Sequence, residues 1–374
     1  MAVRVHVVDP SAYTPPYDHA LCRALAAAGA EVELFTSRFG YGPVAPAEGY
    51  TRRELFYRAA PGPPGSRLRT ALKLVEHVPD MLRYRQIATG ADVVHFQWLP
   101  VQQLDCHLLP ARDSLPLVLT AHDVLPREPR PGQRRAQRRL YERFDAIVAH
   151  CADSARRLTE ELGVDPRRVH LIPHGVLRPW EGQLEQPLPP ELRDGEEPVV
   201  LFFGLLRPYK GLGLLLDAWR CLDPDPPAGA ELWIVGMPRM DLAPLKAAAP
   251  AGVRIVPRFV SDPEVLALMR RASFVVLPYR EIAQSGVAFT ALGAGTPLLL
   301  SDVGGFPEIA ASGAARVFPA GDAEALQAAI AELLGEPAQL AEMARRARDA
   351  AEGRYSWEQI AARTLELYGR LRER

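Results

Sequence analysis

Short apolar runs recur along the chain, separated by amphipathic stretches of helical length, and this rhythm is played twice. In the first half the runs fall at residues 4–8, 31–36, 93–96, 115–120, 146–149 and 169–172, with helical patterns at 17–28, 67–86 and 154–162 between them. The runs are nearly all apolar, as parallel strands are when both faces are covered. A Pro- and Glu-rich stretch over 178–198 breaks the rhythm and reads as an interdomain linker. The alternation restarts at 199–203, 231–235, 254–256, 274–278, 297–301 and 315–318, then closes on helical patterns at 323–334, 337–354 and 356–371. The fold class is therefore α/β, with two Rossmann-like parallel-sheet domains. Such sheets bind ligands beyond the carboxyl ends of their strands, so two facing sheets place a cleft there.

A chain of 374 residues is long for one core and suits two. Its 44 Lys+Arg nearly cancel 45 Asp+Glu, for a formal net charge of -1, which disfavours dedicated nucleic-acid binding. The balance is uneven: residues 1–180 carry 24 Lys+Arg against 19 Asp+Glu, and the remainder 20 against 26. The N-terminal half is thus the better candidate for an anionic acceptor or a membrane surface. Cys22, Cys106, Cys151 and Cys221 are far apart and form no CxxC, so neither a zinc site nor a disulfide framework is expected, and a reducing cytoplasm fits. The opening MAVRVHVVDP turns polar too early for a signal peptide, and no window approaches the ~20 apolar residues that cross a bilayer. Residues 9–16 lack the Gly-rich turn of a dinucleotide-binding dehydrogenase, and no P-loop is present.

Three strand-to-turn junctions in the second half are chemically informative. In LFFGLLRPYKG, at 201–211, an apolar strand passes Gly204 into a turn bearing Arg207 and Lys210. Two fixed cations there can hold a diphosphate and stabilise its charge as a sugar departs; a solvated basic turn is the other reading. In PYREIAQSGV, at 278–287, Ser285, Gly286 and Val287 open an apolar helix. Its first N–H groups favour an anion and Gly286 allows close approach, with Glu281 and Gln284 placed for sugar hydroxyls. Alternatively Ser285 simply caps the helix and Glu281 is a solvated charge. In SDVGGFPE, at 301–308, the glycines read as serving turn geometry.

The N-terminal half offers Tyr17, Asp18 and His19, in the loop after the first strand, as acceptor-side candidates. Trp98, in HFQW, is either a stacking surface for a sugar ring or core packing. His122, in TAHD at a strand end, is either structural or catalytic. The stretch 127–143, with Arg130, Arg134, Arg135, Arg138 and Arg139, reads as a basic helical segment, either solvated or touching anionic headgroups.

Taken in order, FFGLLRPYKGLGLLLDAW, PYRE…QSGV…ALGAGTP and LLLSDVGGFPEI together resemble the C-terminal donor domain of retaining glycosyltransferases of family 4, which have the GT-B fold. VLTAHDVLP, FDAIVAHCADSARRL and VHLIPHGV add N-terminal echoes, and QSGV is similar to the bacterial polysaccharide-type subgroup. The resemblance implies an acceptor-side domain over 1–178, a linker over 179–197, a donor domain over 198–355, and a final helix, 356–374, returning to the first domain. It implies that Arg207 and Lys210 bind the donor diphosphate, that Arg258, Phe259 and Val260 flank the base, that Glu281 meets the transferred sugar, and that His122 faces the reacting centre. The chain departs from the family pattern where a second glutamate usually holds the ribose. Thr290 stands there, separated from Glu281 by eight residues rather than seven.

The function implied is retaining transfer of a sugar, by a hexosyltransferase, from a nucleotide diphosphate sugar to an acceptor hydroxyl in polysaccharide or glycoconjugate biosynthesis. No cofactor is expected beyond that co-substrate, and no metal, because no Asp-x-Asp stands out and the basic pair can replace a cation. The acceptor is expected to be a saccharide, a lipid-linked saccharide or a small molecule. The expected location is the cytoplasm, with peripheral contact at the inner membrane face through the basic N-terminal domain. Two other readings compete: a nucleotide-sugar epimerase of the same fold, and a catalytically silent scaffold, for which Thr290 speaks.

Overall fold

A computed structural model of the chain describes residues 2–60, 66–111, 115–125, 131–184, 186–222, 226–250 and 252–373. It forms two compact units, one of Met1–Gly175 with Trp357–Arg374, the other of Val176–Ser356.

The first unit is built on β1 (Arg4–Asp9), β2 (Glu31–Ser37), β3 (Thr51–Phe56), β4 (Val93–Phe96), β5 (Leu117–Thr120), β6 (Ala146–Ala149) and β7 (Val169–Leu171). They form one sheet in the order β3-β2-β1-β4-β5-β6-β7, parallel throughout. Every residue of β4, β5 and β6 is buried, which is why these strands read as unbroken apolar runs. The apolar runs do not announce β3. It lies at the sheet edge, its sequence TRRELF is largely solvated, and only Phe56 is fully buried. Charged side chains on such an edge discourage pairing with another chain. The helix Pro15–Ala27 packs against the last helix, Trp357–Arg372, and the helices Arg67–Ile87, Gln102–Leu108 and Gln133–Tyr141 pack one beside the next. The right-handed crossovers that join parallel strands put this second group on the opposite face of the sheet. Of the basic stretch at 127–143, residues 127–130 lie outside the described residues. The rest forms the helix Gln133–Tyr141, with Arg134, Arg135, Arg138 and Arg139 exposed and Ala136, Leu140 and Tyr141 turned inward.

The second unit contains β8 (Val199–Phe203), β9 (Glu231–Val235), β10 (Val253–Val256), β11 (Phe274–Leu277), β12 (Leu298–Ser301) and β13 (Ala315–Phe318), in the order β10-β9-β8-β11-β12-β13. Its core includes Phe202, Trp219, Trp233 and Phe274. The stretch with linker composition is docked on this unit. Leu192 is buried, Glu191 pairs with Arg258, and Asp194 pairs with Arg271.

In each sheet the strand order reverses beside the first strand, between β1 and β4 and between β8 and β11. Connections leave such a pair in opposite directions, so a crevice opens at the carboxyl ends. Arg207 and Lys210 follow β8 and Glu281 to Val287 follow β11 at the second of these points, whereas Arg258, Phe259 and Val260 follow the edge strand β10. No described helix is long and apolar enough to cross a membrane.

Candidate active site

Gly204 leaves β8 at φ +116°, a conformation that L side chains rarely adopt. The space a Cβ would need is taken by Lys210 Nζ, 2.9 Å away, and Val287 Cγ2, 3.0 Å away. Lys210 is therefore folded over the strand end. It is buried, and its ammonium stands 4.9 Å from the centre of the Tyr279 ring, whose negative face offsets part of the lost hydration. Arg207, the other cation of the turn, has a buried Nε with no acceptor among the described residues. Leaving such a donor unsatisfied costs roughly 1–3 kcal/mol.

The loop after β11 is tied to this turn, because the Arg280 N–H donates to the Tyr209 carbonyl at 2.9 Å. It carries exposed Glu281 and half-buried Gln284 to the helix Gly286–Ala294. From below, the Gly305 N–H donates to the Ala283 carbonyl at 3.1 Å, so the third glycine-rich turn supports the loop. Ser285 occupies the N-cap position, but its hydroxyl makes no capping hydrogen bond. The first-turn N–H groups of this helix keep their capacity for an outside acceptor. Because Val287 meets the same point beside Gly204 as Lys210 does, the helix start and the Lys210 ammonium form one locus.

Two other donor-side candidates are turned to internal tasks. Thr290 is buried, and its hydroxyl donates to the Gly286 carbonyl at 2.8 Å, bonding back into its own helix. Arg258 is gripped by Glu191 at 2.8 and 3.1 Å and by Glu264 at 2.9 Å, and it donates to the Phe259 carbonyl at 2.9 Å. Its hydrogen bonds to Glu191 and then to Glu264 raise its pKa above the ordinary value. Arg258 therefore shapes the loop, leaving Phe259 62% exposed above buried Val260.

In the first unit, rings gather beyond β4 to β7. His122 is stacked on Trp98, with centroids 4.8 Å apart and planes at 8°, and meets Tyr17 edge-on at 4.8 Å. The Trp98 indole N–H donates to Thr14 Oγ1 at 3.2 Å, which fixes its orientation. His122 Nε2 lies 3.2 Å from Gln97 Oε1; with the amide oxygen accepting, the proton sits on Nε2 and Nδ1 is the acceptor. Both residues line a cavity of about 140 Å³. His150 and His174 continue the row at 5.1 and 5.2 Å between successive centroids. Their Nδ1 atoms face the carbonyls of Ile172 and Gly175, at 2.9 and 2.6 Å. His95 is held between Tyr368 and Thr120. Burial lowers the pKa of His150 to about 4 and of His95 and His174 to about 3, and takes His122 well below its ordinary value; His150 pushes the other three the same way. All four are neutral at pH 7.

Asp18 and His19 do not join this row. Asp18 is buried against Asp9, and burial followed by the Asp9 charge raises its pKa well above the usual carboxylate range. Asp9 is raised by burial as well, so the two hold a proton between them. Asp9 accepts from the N–H groups of Ser11 at 3.0 Å and Tyr13 at 2.5 Å, shaping the loop. His19 Nδ1 faces the Tyr50 hydroxyl at 3.0 Å. Sequence reasoning passed over His150, His174 and Trp357. Trp357 stands 5.1 Å from Tyr17 and fills the space beside Gly175. The available signal was register, since His150, like His122, follows directly on a strand end or one residue beyond it. Among the described residues, no group of three or more His, Cys, Asp or Glu is placed to hold a metal ion.

Residues 197–336 match the family described as glycosyl transferases group 1, and residues 17–176 match Glycosyltransferase Family 4. The chain belongs to the family 4 glycosyltransferases. It is 30% identical to D-inositol 3-phosphate glycosyltransferase of Nocardia farcinica over 376 residues, 92% of this chain and 81% of the relative. Among solved structures, sucrose-phosphate synthase from Thermosynechococcus elongatus superposes with a TM-score of 0.77 at 19% identity, over 99% of each chain. HepE from Anabaena, in complex with UDP-glucose, gives a TM-score of 0.71 at 17% identity, over 99% of this chain and 100% of that one. The fold of the transferase is thus GT-B, with one Rossmann-like sheet per domain. As a family 4 glycosyltransferase it moves a sugar from a nucleotide sugar.

Proposed function

We propose that this transferase is retaining and metal-independent, and that it passes a hexose from a nucleotide diphosphate sugar to an acceptor hydroxyl in polysaccharide or glycoconjugate biosynthesis. The observation that carries this reading is the buried Lys210 ammonium at the uncapped start of the helix Gly286–Ala294, with the unsatisfied Nε of Arg207 in the same turn of chain. This positive potential suits a diphosphate leaving group and replaces the work of a divalent cation. Glu281 and Gln284 are the candidates for the sugar hydroxyls, and the Phe259 ring, left exposed by the Arg258 clamp, for the base.

Retention through a covalent intermediate requires a carboxylate nucleophile near the anomeric carbon. Asp18, the carboxyl among the first unit's candidates, is buried and shares a proton with Asp9, and Glu281 is assigned to the sugar hydroxyls; a front-face displacement needs neither as a nucleophile. In that step the bond from the anomeric carbon to the phosphate oxygen breaks, and the acceptor oxygen bonds to the same face. The acceptor proton passes to the departing phosphate oxygen, while Arg207, Lys210 and the helix start stabilise the remaining charge. His122 of the first unit, its Nε2 proton already given to Gln97, is an acceptor-side candidate that presents Nδ1 as a neutral acceptor. The UDP-glucose complex of HepE makes UDP-sugars the first donors to test, and the inositol phosphate named for the Nocardia relative puts small phosphorylated polyols among the first acceptors.

The test is thermal stabilisation by nucleoside diphosphates and their sugars, with wild type and with Arg207→Ala/Lys210→Ala. One nucleotide series is expected to raise the melting temperature by several degrees near a hundred-fold excess over Kd, about 2.7 kcal/mol, and to do nothing for the double variant. A folded wild type that no nucleotide stabilises would overturn the reading. Turnover is expected to survive a chelator; loss restored by manganese would remove metal independence.

A further inference from the structure

The helix Arg67–Ile87 turns its apolar residues outward. Its buried residues are His77, Asp80, Met81 and Tyr84, whereas Leu68, Val75 and Leu82 are 66%, 73% and 46% exposed. A spacing of seven residues returns to nearly the same side of a helix, drifting about 20° per step. The three therefore form one stripe about 21 Å long at 1.5 Å per residue, with exposed Ala71 and Pro79 adjoining it. A surface helix of a globular domain ordinarily presents its charges to water and its stripe to the core.

The inverted rotation is held from within. The Tyr57 hydroxyl meets His77 Nδ1 at 2.8 Å, and His77 Nε2 meets Asp105 at 2.5 Å, all three buried. Rolling the helix to bury the leucines would break this chain of hydrogen bonds and strand its polar groups. Of the helix's carboxylates, Glu76 accepts from the Ala59 N–H at 3.0 Å, and Asp80 accepts from the Tyr57 N–H at 2.8 Å while pairing with exposed Arg83 at 3.1 Å. Arg67, Arg83 and Arg85 are exposed. The helices packed beside it carry Leu104, 41% exposed, and exposed Arg134, Arg135, Arg138 and Arg139.

We propose that this face docks on an anionic lipid bilayer. The helix lies in the interfacial plane, with Leu68, Val75 and Leu82 among the acyl chains and the arginines at the headgroup phosphates. Charge decides between this occupant and a second copy of the chain. Self-association through the stripe would set Arg67, Arg83 and Arg85 against their own counterparts, and three large side chains fall short of the ~800 Å² per partner that a stable protein interface buries. The basic helix at Gln133–Tyr141 supplies attraction only, because its apolar residues face the core. Docking does not depend on which sugar or nucleotide the enzyme uses.

The test is flotation of the full-length protein with vesicles of phosphatidylcholine alone or with about a third phosphatidylglycerol. The protein is expected to float with the anionic vesicles only, and progressively less as salt screens the arginines. Leu68→Glu/Val75→Glu/Leu82→Glu is expected to lower binding at least ~10-fold, with melting temperature and nucleotide stabilisation unchanged. Val75→Trp should show blue-shifted emission, relative to wild type, with anionic vesicles. Three results would overturn the proposal: wild type that does not float, flotation that the triple variant leaves intact, or no blue shift at position 75. A wild-type dimer that the triple variant renders monomeric would likewise overturn it and assign the face to a second copy.

Discussion

Lys210 lies over Gly204, its Nζ 2.9 Å from where a Cβ on that glycine would stand. Gly204→Ala therefore does two things. It places a side chain at φ +116°, costing about 1–3 kcal/mol, and it displaces the ammonium. A lower melting temperature and loss of most of the nucleoside-diphosphate stabilisation are expected from paired thermal melts. Undiminished stabilisation would mean that Lys210 does not hold the diphosphate from this position.

Gly211 and Gly213, two residues apart, should respond in opposite directions. Gly211 sits at φ +73° with the Pro278 carbonyl oxygen 1.9 Å from a would-be Cβ, so Gly211→Ala must move backbone and should cost about 3 kcal/mol or more. Gly213, inside the helix Leu212–Arg220, meets nothing within 4 Å, and Gly213→Ala should stabilise by up to about 1 kcal/mol. Chemical denaturation of the two single variants checks both signs.

The buried histidines give stability a pH dependence. Their folded pKa values lie below the ordinary 6.5, so below that pH the unfolded chain binds protons that the native state refuses. Stability present above pH 6.5 is lost as pH falls towards the folded values near 3 to 4, by about 1.4 kcal/mol per pH unit for each histidine fully engaged. The Asp9–Asp18 pair acts in the opposite sense, because its raised pKa lets the native state keep a proton that the unfolded chain has released. With His6, His95, His122, His150 and His174 set against the raised carboxyls of Asp9, Asp18, Asp105 and Asp262, the melting temperature should fall from pH 7 to pH 5, and His95→Gln should flatten the slope. A melting temperature that rises over that interval would contradict the neutral assignment.

Thr290 should be silent towards the donor. Its hydroxyl is spent on the Gly286 carbonyl, so Thr290→Val should change donor KM by less than about 2-fold and stability by about 1 kcal/mol at most. A tenfold rise in KM, on the order of 1.4 kcal/mol, would show that the hydroxyl leaves its helix to meet the nucleotide.

What could be read from the sequence follows burial on both faces. Strands β4, β5, β6 and β8 announced themselves because helices cover them above and below. The edge strand β3 did not, because solvent permits its arginines. The Arg207–Lys210 turn was visible as a local pattern, since its cations sit three residues apart. The row of His122, His150 and His174 is assembled from three strand ends, and Trp357 joins it from the far end of the chain, which no local window contains. Asp18 reads as a polar loop residue in the sequence; in the structure the helix Pro15–Ala27 buries it against Asp9 at the end of β1. For the helix Arg67–Ile87, periodicity revealed the helix, but only the buried His77 network shows which side faces out.

The chain leaves the first unit at Gly175 and re-enters it at Trp357, so everything between is one uninterrupted segment. The ends of that segment meet, with the Val176 N–H donating to the Tyr355 carbonyl at 3.0 Å. Topologically the second unit is an insertion into the first, and the two cut points are already side by side. Residues 176–356 can therefore be exchanged between relatives as a single cassette, which contains both Arg207 and Lys210 of the proposed diphosphate site. The first unit, stitched from both termini, admits no such graft without two simultaneous breaks, and trimming the last helix would remove Tyr368 from His95 and Trp357 from Tyr17. Recombination is thus asymmetric: the second unit, with the proposed diphosphate site, is exchangeable in one piece, whereas the first unit must change residue by residue.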